Sequence, residues 1–213
     1  TMLGVVGEPF ENITFETVGS SFDTEIALFN AETGAFIAAN DDIEPGNRQS
    51  RIVQRFGADT VRTHLMFAFD WEKGGPWDSK GITGSHRFIQ DVWRLGTAEY
   101  ASQGDGADRD LRRAVHQTIE KMTRDMESFS WNTGVAALMA LRNEMAPVLR
   151  DGTASAEAWN EAVDALVLLL APIAPHITEE IWRRRGHEVS VHASSWPTYD
   201  AEAAAADVIT LIV

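Results

Sequence analysis

Cysteine is absent from the 213-residue chain, which excludes disulfide bonds, thiolate metal sites and a cysteine nucleophile. Long apolar runs are also absent: the most apolar stretch, 165–175, contains Pro172 and is too short to span a bilayer. The first residues show no basic-then-apolar signal segment. These absences predict a soluble, cytoplasmic protein without a membrane partner.

Basic side chains are scarce and unevenly distributed in a chain whose net charge is −14. Residues 1–47 contain nine Asp or Glu and no Lys or Arg, whereas residues 82–150 contain nine acidic and nine basic residues. Residues 151–213 are acidic again, with ten acidic against three basic residues. Because nucleic-acid phosphates are bound chiefly by Lys and Arg, only the middle segment has a charge balance that permits such contact.

The pattern in the first third of the chain predicts strands and then helices. Partial alternation at 24–29 and an apolar return at 35–38 flank turn-forming residues at 30–34, which predicts a β-hairpin. Apolar residues at helical spacing then predict a short helix at 52–56 and a longer one at 58–69.

Five further helices are predicted after a Gly-Gly-Pro break, at 82–102, 108–128, 131–149, 155–170 and from Pro175 to Gly186. Short connections between them make an antiparallel bundle the economical packing. The predicted fold is mainly α, a bundle of four to five helices with a small N-terminal β-hairpin/loop region. The predicted segments are strand and loop at 1–47, linker helices at 48–81, the bundle at 82–186 and an extended tail at 187–213.

The helix at 108–128 is the clearest amphipathic segment. Its apolar stripe covers about one-third of the helical wheel and comprises Leu111, Val115, Thr118, Ile119, Met122 and Met126. The opposite face gathers the cationic side chains Arg109, Arg112, Arg113, His116 and Arg124. Acidic neighbours, among them Asp110, Glu120 and Asp125, dilute the positive field. Two interpretations stay open: the face binds a nucleic-acid backbone, or it is a solvated helix surface.

Several strings in a fixed order resemble class I aminoacyl-tRNA synthetases. Arg-Phe-Gly-Ala-Asp-Thr-Val-Arg at 55–62 resembles the segment after the signature loop in the leucine, isoleucine, valine and methionine group. Gly-Gly-Pro-Trp at 74–77 and Arg-Phe-Ile-Gln-Asp-Val-Trp-Arg-Leu at 87–95 resemble leucyl-tRNA synthetase in particular. The string at 168–182, Leu-Leu-Leu-Ala-Pro-Ile-Ala-Pro-His-Ile-Thr-Glu-Glu-Ile-Trp, is similar to the end of that family's anticodon-binding bundle, as is Ser-Trp-Pro at 195–197.

The resemblance implies a bundle of the anticodon-binding type that contacts the backbone of leucine tRNA. The residues assigned to this contact are Arg109, Arg112, Arg113, His116 and Arg124. The resemblance also implies ATP and Mg²⁺ as cofactors of the parent ligase and its catalytic half as a partner. This chain is expected to be truncated at both ends relative to that family.

The catalytic signatures of the family are missing from the sequence. Its lysine-containing signature loop should fall at 38–42, where the chain reads Ala-Ala-Asn-Asp-Asp, and its His-Ile-Gly-His signature is absent. Phosphoryl-type chemistry depends on neutralising the phosphates, and carboxylates at this position do the opposite. We therefore expect no catalytic residue and no bound cofactor in this chain.

Two other functions stay open on the residues alone. One is a working synthetase that tolerates an atypical signature region; the other is a non-catalytic acidic bundle that acts as a protein-interaction module.

No metal site is expected, because His64, His86 and His116 lack partner ligands at metal-binding spacing. The arginines at 183–185 could contact phosphate, but the favoured interpretation is that they complement the dipole of the helix that they end.

The isolated chain is expected not to exchange pyrophosphate into ATP in the presence of leucine. The reason is the absence of both nucleotide signatures, together with nine acidic and no basic residues at 1–47. The measurement is a pyrophosphate-exchange assay with the full 213-residue chain. Exchange above a no-enzyme control would contradict the prediction and support the working synthetase.

Overall fold

A computed structural model of the protein describes residues 56–68 and 81–205 with their side chains, together with the backbone of four short strands. The chain divides into two compact units, residues 1–64 with 78–89 and residues 65–77 with 90–213. The two units are described separately below. The boundaries at 47, 81 and 186 that were drawn from the sequence stay predictions.

Four strands of the first unit form two antiparallel pairs. Strand β2 (Ile26–Phe29) pairs with β3 (Phe36–Asn40), with an irregularity in register between Leu28 and Phe29. These are the two arms of the predicted hairpin, and its turn at 30–35 lies outside the described residues.

The second pair corrects one sequence prediction. Strand β1 (Phe15–Glu16) pairs with β4 (Arg51–Ile52), so Ile52 does not begin the helix predicted at 52–56. Residues 53–55 lie outside the described part of the chain. The apolar spacing was local, whereas the hydrogen-bonding partner of Ile52 is Phe15, more than thirty positions away along the sequence.

Two helices contribute to the first unit. Helix α1 (Gly57–Ala68) confirms the helix predicted at 58–69, and α2 (Ile82–Thr97) begins at the predicted residue. Phe56 and Ile82 are buried together, with Val61 packed against them. The result is a small apolar cluster at the start of both helices.

The first unit also buries an unusual number of polar side chains. The hydroxyl of Thr60 lies 3.4 Å from His86 Nδ1, and the hydroxyl of Ser85 lies 3.4 Å from His64 Nδ1. The ring of Phe56 stands 5.0 Å from the ring of His86. Burial lowers the pKa of His86, so this imidazole is neutral at neutral pH.

The second unit is a helical bundle, which confirms the mainly α fold. Its helices after α2 are α3 (Asp108–Glu127), α4 (Trp131–Asp151), α5 (Ala156–Leu170), α6 (Pro175–Arg184) and the single turn α7 (Ala201–Ala204). A short 3₁₀ turn, Val191–Ala193, precedes α7. Helix α3 packs on α4, α5 and α7, and α5 also packs on α4 and α6. None of the described helices is long and apolar enough to cross a membrane.

Helix α5 forms the centre of the bundle. Its polar residues Glu157, Asn160, Glu161 and Asp164 lie on one side, and its fully buried residues are Ala158, Trp159, Ala162, Val163, Leu166, Val167, Leu169 and Leu170. The hydroxyl of Ser155 accepts a hydrogen bond from the backbone N–H of Ala158, which caps the first turn. Burial of each large apolar side chain contributes about 1.5–3 kcal/mol, so α5 supplies a large share of the stability of the bundle.

Helix α2 ends five residues earlier than the predicted position, 102. The chain leaves the helix after Thr97 because its next residues bond to the connection between α4 and α5. The hydroxyls of Tyr100 and Ser102 both donate to the carbonyl of Ala154, each at 2.7 Å. Tyr100 also stacks on Trp159, with ring centroids 4.6 Å apart. These tertiary contacts outweigh the local preference for helix.

Helix α3 ends in a left-handed residue that is not glycine. Phe129 has φ of 57°, its N–H bonds to Met126 O at 3.3 Å, and the N–H of Ser130 bonds to Asp125 O at 2.7 Å. This is the Schellman arrangement, in which the left-handed position is usually glycine. A side chain there costs about 1–2 kcal/mol relative to glycine.

Glycine is required where α4 ends. Gly152 has φ of 63°, and its carbonyl accepts a 2.7 Å bond from the N–H of Gln103. A Cβ at this position would stand 2.5 Å from the carbonyl oxygen of Ala101. The close approach of two backbone segments therefore depends on the missing side chain.

Replacing Gly152 with Ala is expected to lower the free energy of unfolding by more than about 1 kcal/mol, because the left-handed backbone and the contact with Ala101 both resist a side chain. Gly104→Ala is the matched control, since a Cβ at Gly104 would meet nothing within 4 Å. Urea unfolding followed by circular dichroism measures both variants. Equal stability of Gly152→Ala and the wild type would contradict this account.

Candidate nucleic-acid interface

The burial of α3 decides which of its cations face solvent. Its apolar stripe is buried, with Leu111, Val115, Ile119 and Met122 at most 3% exposed. The five predicted contact residues all lie on this helix, but they divide into two groups. Arg112 and His116 flank the stripe on the side of α5, whereas Arg109, Arg113 and Arg124 lie opposite it; we call these three the outer edge of α3.

Arg112 is engaged by carboxylates of α5. Its Nε lies 2.8 Å from Glu161 Oε2, and its Nη2 lies 3.2 Å from Glu157 Oε1. The hydrogen bond to Glu161 raises the pKa of Arg112; burial opposes this, and the charges of Glu161, Glu157 and Asp108 reinforce it. Arg112 therefore joins α3 to α5 before any nucleic acid is considered.

His116 is held from two sides. Its Nε2 lies 3.3 Å from Glu161 Oε1, and its Nδ1 accepts a 3.2 Å hydrogen bond from the backbone N–H of Asp200. Only 14% of its side chain is exposed. His116 thus ties α3 both to α5 and to the segment that leads into α7, and its ring points along the bundle surface rather than outward.

The outer edge of α3 is accessible at its two ends, Arg109 and Arg124, whereas Arg113 is 26% exposed, less than the 35% of Arg112. Arg124 is 63% exposed and lies 3.2 Å from Glu120 Oε1 on the same helix. Arg113 lies 2.5 Å from Asp110 Oδ1, one turn earlier, and Arg109 is exposed. Exposed pairs of this kind contribute about 0–1 kcal/mol, so a phosphate group can compete for these guanidinium groups.

A groove of about 470 Å³ runs between α3 and α4 beside the outer edge. Its floor is made of Ala114, Ala137, Ala140 and Leu141, and its rim carries Arg113, Gln117, Lys121, Asp110 and Glu144. The sequence analysis did not assign Lys121 or Gln117 to the candidate interface. Arg113, Gln117 and Lys121 follow one another at intervals of four residues on one helix. This spacing would have identified Gln117 and Lys121 from the sequence.

One acidic residue expected on the surface is buried. Asp125 is 5% exposed, and its carboxylate accepts hydrogen bonds from the Lys121 ammonium and, at 2.7 Å, from the Thr133 hydroxyl. Asp125 therefore joins α3 to α4 and does not weaken the outward positive field as the sequence analysis assumed. The helical wheel places Asp125 at the boundary of the apolar stripe, where the sequence alone does not decide.

The three arginines at the end of α6 are all paired within the bundle. Arg183 Nε lies 2.9 Å from Glu179, Arg184 Nε 2.6 Å from Glu180, and Arg185 Nε 2.9 Å from Asp164. Arg184 also lies over the ring of Trp93 at 4.7 Å. Arg185, 16% exposed and paired with Asp164 of α5, has a structural role. The pairs of Arg183 and Arg184 are exposed i,i+4 pairs of the same kind as Arg124–Glu120, so both interpretations stay open for these two residues.

Metal binding finds no support in the described residues: no cluster of three or more His, Asp or Glu side chains at 56–68 or 81–205 is placed to hold an ion. His64 and His86 lie inside the first unit, each beside a hydroxyl, and His116 lies on α3.

Asp108 anchors the start of α3 to the start of α5. Its Oδ1 accepts from the N–H of Ser155 and its Oδ2 accepts from the Ser155 hydroxyl, both at 2.6 Å. Burial opposes ionisation of Asp108, but the two hydrogen bonds and the charge of Arg112 outweigh it and lower the pKa of this carboxyl group. This contact and the Glu161 pairs hold α3 in one orientation on α5.

Comparison with known proteins gives concordant similarities. Residues 108–213 match the family described as the anticodon-binding domain of tRNA ligase. A leucine–tRNA ligase of Dehalococcoides mccartyi is 39% identical over 215 residues, which are 99% of this chain and 25% of that protein. The leucine–tRNA ligase of Herpetosiphon aurantiacus is 43% identical over 152 residues, 70% of this chain and 18% of that protein. The chain thus spans about a quarter of the length of these relatives, or less.

A solved structure is similar as well. A LeuRS of Agrobacterium radiobacter K84, in a ternary complex with tRNA and LeuAMS, matches with a TM-score of 0.62 and 29% identity. The match covers 78% of this chain and 24% of that one. These similarities confirm the resemblance to leucyl-tRNA synthetases. The alignment over 99% of the chain also runs through residues 11–47, where no string of residues had resembled the family.

Asp108→Asn is expected to lower the free energy of unfolding by about 1 kcal/mol at pH 7, because charge-assisted hydrogen bonds are replaced by neutral ones. A carboxyl group whose pKa is lowered in the folded state stabilises the fold fully above its unfolded pKa of about 3.9. The contribution is lost as the pH falls through the folded pKa. Urea unfolding should therefore show a gap between wild type and variant that narrows below about pH 4.

The control for this experiment is Asp105→Asn, an exposed carboxylate in the loop before α3. It is expected to change stability little at either pH. A gap between wild type and Asp108→Asn that stays the same from pH 7 to pH 3 would contradict the assigned role of Asp108.

Proposed function

We propose that this chain, whose residues 108–213 belong to the anticodon-binding domain family of tRNA ligases, is the tRNA-contacting C-terminal portion of a leucyl-tRNA synthetase. The similarity to leucine–tRNA ligases over nearly the whole chain supports the assignment, as does the similarity to a LeuRS whose structure contains tRNA. In such a ligase leucine is attached to its tRNA at the expense of ATP. The bundle is proposed to position the tRNA for that reaction.

The observation that carries this proposal is the outer edge of α3. From Arg109 to Arg124 the edge covers 15 residues, or about 22 Å of helix axis at 1.5 Å per residue. Between Arg113 and Arg124 the amide of Gln117 donates to the carbonyl of Ala204 in α7 at 2.9 Å, so the edge offers phosphate contacts at its two ends rather than along its whole length. Lys121, on the rim of the neighbouring groove, already donates to the buried carboxylate of Asp125.

Contact is proposed to be made with the phosphate backbone rather than with base edges. Guanidinium groups suit phosphate geometry, and backbone contacts position a nucleic acid without reading its sequence. Arg112 and His116 would have to leave Glu161 to take part, so they are proposed to hold α3 in place while the outer edge makes the contacts. The net charge of −14 opposes association at long range, which makes the binding weak and sensitive to salt.

The catalytic half of the ligase is the second proposed partner. The ATP and Mg²⁺ that the family uses are proposed to bind there. A cytoplasmic location follows from the same assignment. The alternative, a protein-interaction module, predicts no salt-dependent binding to tRNA, so one titration separates the two functions.

Replacing Arg109 and Arg113 together with Glu is expected to abolish binding of the full chain to folded leucine tRNA. Both side chains lie on the outer edge, so circular dichroism should show unchanged helix content. The measurement is tRNA affinity as a function of salt concentration for wild type and variant. The wild type should lose roughly 0.7–0.9 logarithmic units of affinity per phosphate contact for each tenfold rise in salt.

The matched control is the double variant Arg150→Glu with Arg183→Glu. It makes the same change in net charge at side chains that are 73% and 52% exposed and lie off α3. It is expected to weaken binding far less. If Arg109→Glu with Arg113→Glu binds as tightly as the wild type, the outer edge is a solvated surface and the interaction module gains support.

A further inference from the structure

The turn between α3 and α4 presents an aromatic ring to solvent. Phe129 is 62% exposed, the most exposed large apolar side chain among those that the structure describes as exposed. Its ring meets the ring of Trp131 edge-on, with centroids 5.6 Å apart and planes at 83°. An edge-on contact of this kind leaves much of the ring uncovered.

The backbone at this position favours glycine over phenylalanine. Residue 129 is the left-handed residue of the Schellman arrangement that ends α3, a position that glycine fills without strain. Burial of the phenyl ring offsets only part of this strain, because most of the residue stays in water. The exposed part of the ring is therefore available to a ligand.

The turn holds the ring in a defined orientation. The N–H of Ser130 bonds to Asp125 O at 2.7 Å, and the hydroxyl of Ser128 donates to the hydroxyl of Ser130 at 3.0 Å. The hydroxyl of Thr133 donates to the carboxylate of buried Asp125 and closes the turn from the side of α4. These bonds order the backbone that carries the ring, and the edge-on contact with Trp131 restricts the ring itself, which lowers the conformational entropy lost when a flat ligand binds.

The charges around the ring suit a nucleotide. Arg124, in the last turn of α3, is 63% exposed and belongs to the outer edge proposed to meet phosphates. Glu127 is exposed on the same turn, and Glu120 pairs with Arg124. A neutral base tolerates these carboxylates, whereas a phosphate would be directed to the guanidinium group. Aromatic rings that stack on bases, together with cationic side chains that meet the backbone, are the groups with which proteins bind unpaired nucleotides.

We propose that Phe129 is a stacking platform for an unpaired nucleobase of the tRNA whose backbone lies on the outer edge of α3. The inference rests on the function proposed above and extends it from phosphate contact to base contact. Bases inside a double helix have both faces covered by their neighbours, so the ligand is a base in a loop or at a bulge. Stacking is tolerant of base identity, and the site contributes affinity without specifying a sequence.

The test compares three variants of the full chain. Phe129→Tyr keeps the aromatic face and should bind tRNA like the wild type. Phe129→Leu keeps the apolar bulk and Phe129→Gly removes the side chain; both should weaken binding by about fivefold to 150-fold, the range for loss of one base stack. The salt dependence of affinity should stay that of the wild type in all three, whereas Arg124→Gln should make it shallower.

Folding does not limit this test. In Phe129→Gly the loss of the contact with Trp131 is opposed by relief of the left-handed backbone, so its melting temperature should stay within about 4 °C of the wild type. The affinities therefore compare folded proteins. Equal tRNA affinity of wild type, Phe129→Leu and Phe129→Gly would overturn the stacking proposal in favour of a protein contact at Phe129. The proposed function would still stand in that case if Arg109→Glu with Arg113→Glu abolishes tRNA binding.

A second arm tests the ring without folded tRNA. The probe is a short single-stranded RNA that carries 2-aminopurine, whose fluorescence falls when the base stacks. Wild type and Phe129→Tyr should quench it, and Phe129→Leu and Phe129→Gly should not. Quenching by the wild type in the absence of tRNA binding would sink the proposed function but support the platform. Equal quenching by all four proteins would overturn the platform.

Discussion

The burial of one stripe of α3 is the constraint on which the rest of the bundle depends. Leu111, Val115, Ile119 and Met122 must leave water together, and α4 and α5 are the surfaces that cover them. Once the stripe is buried, the rotation of α3 about its axis is set, because each residue turns the helix by a constant angle. This rotation places each charged residue of α3 either against a neighbouring segment of the chain or in solvent.

The carboxylate of Glu161 shows how this rotation separates charges that the sequence grouped together. It accepts from both Arg112 and His116, so two of the five predicted contact residues on α3 stabilise the contact with α5. Asp108 adds a third tie through Ser155, and buried Asp125 joins α3 to α4. The surface that can meet a polyanion is therefore a narrow cationic edge on a strongly acidic protein. Such an edge favours weak contacts that orient the polyanion over tight binding.

The places where sequence reasoning failed share a physical cause. Ile52 pairs with Phe15 in a β-ladder, and the end of α2 is decided by hydrogen bonds from Tyr100 and Ser102 to Ala154. In each case the partner lies about forty to fifty positions away, beyond the reach of helical periodicity, which reports only which residues share a face. Asp125 was misplaced because a residue at the boundary of the stripe is buried only if a donor such as Thr133 faces it.

The sequence by itself determined helices α1 to α6 apart from the end of α2, their apolar faces and the resemblance to leucyl-tRNA synthetases, because periodic spacing and motif strings are local properties of the chain. It also identified α3 as the cationic helix and excluded cysteine chemistry. The tertiary structure alone decided which cations are left for a partner, since Glu157, Glu161 and Asp200 reach α3 from other segments of the chain. The role proposed for Phe129 also depends on the tertiary structure. The sequence shows only that residue 129 is aromatic, whereas the Schellman turn and the contact with the ring of Trp131 orient the side chain and leave it exposed.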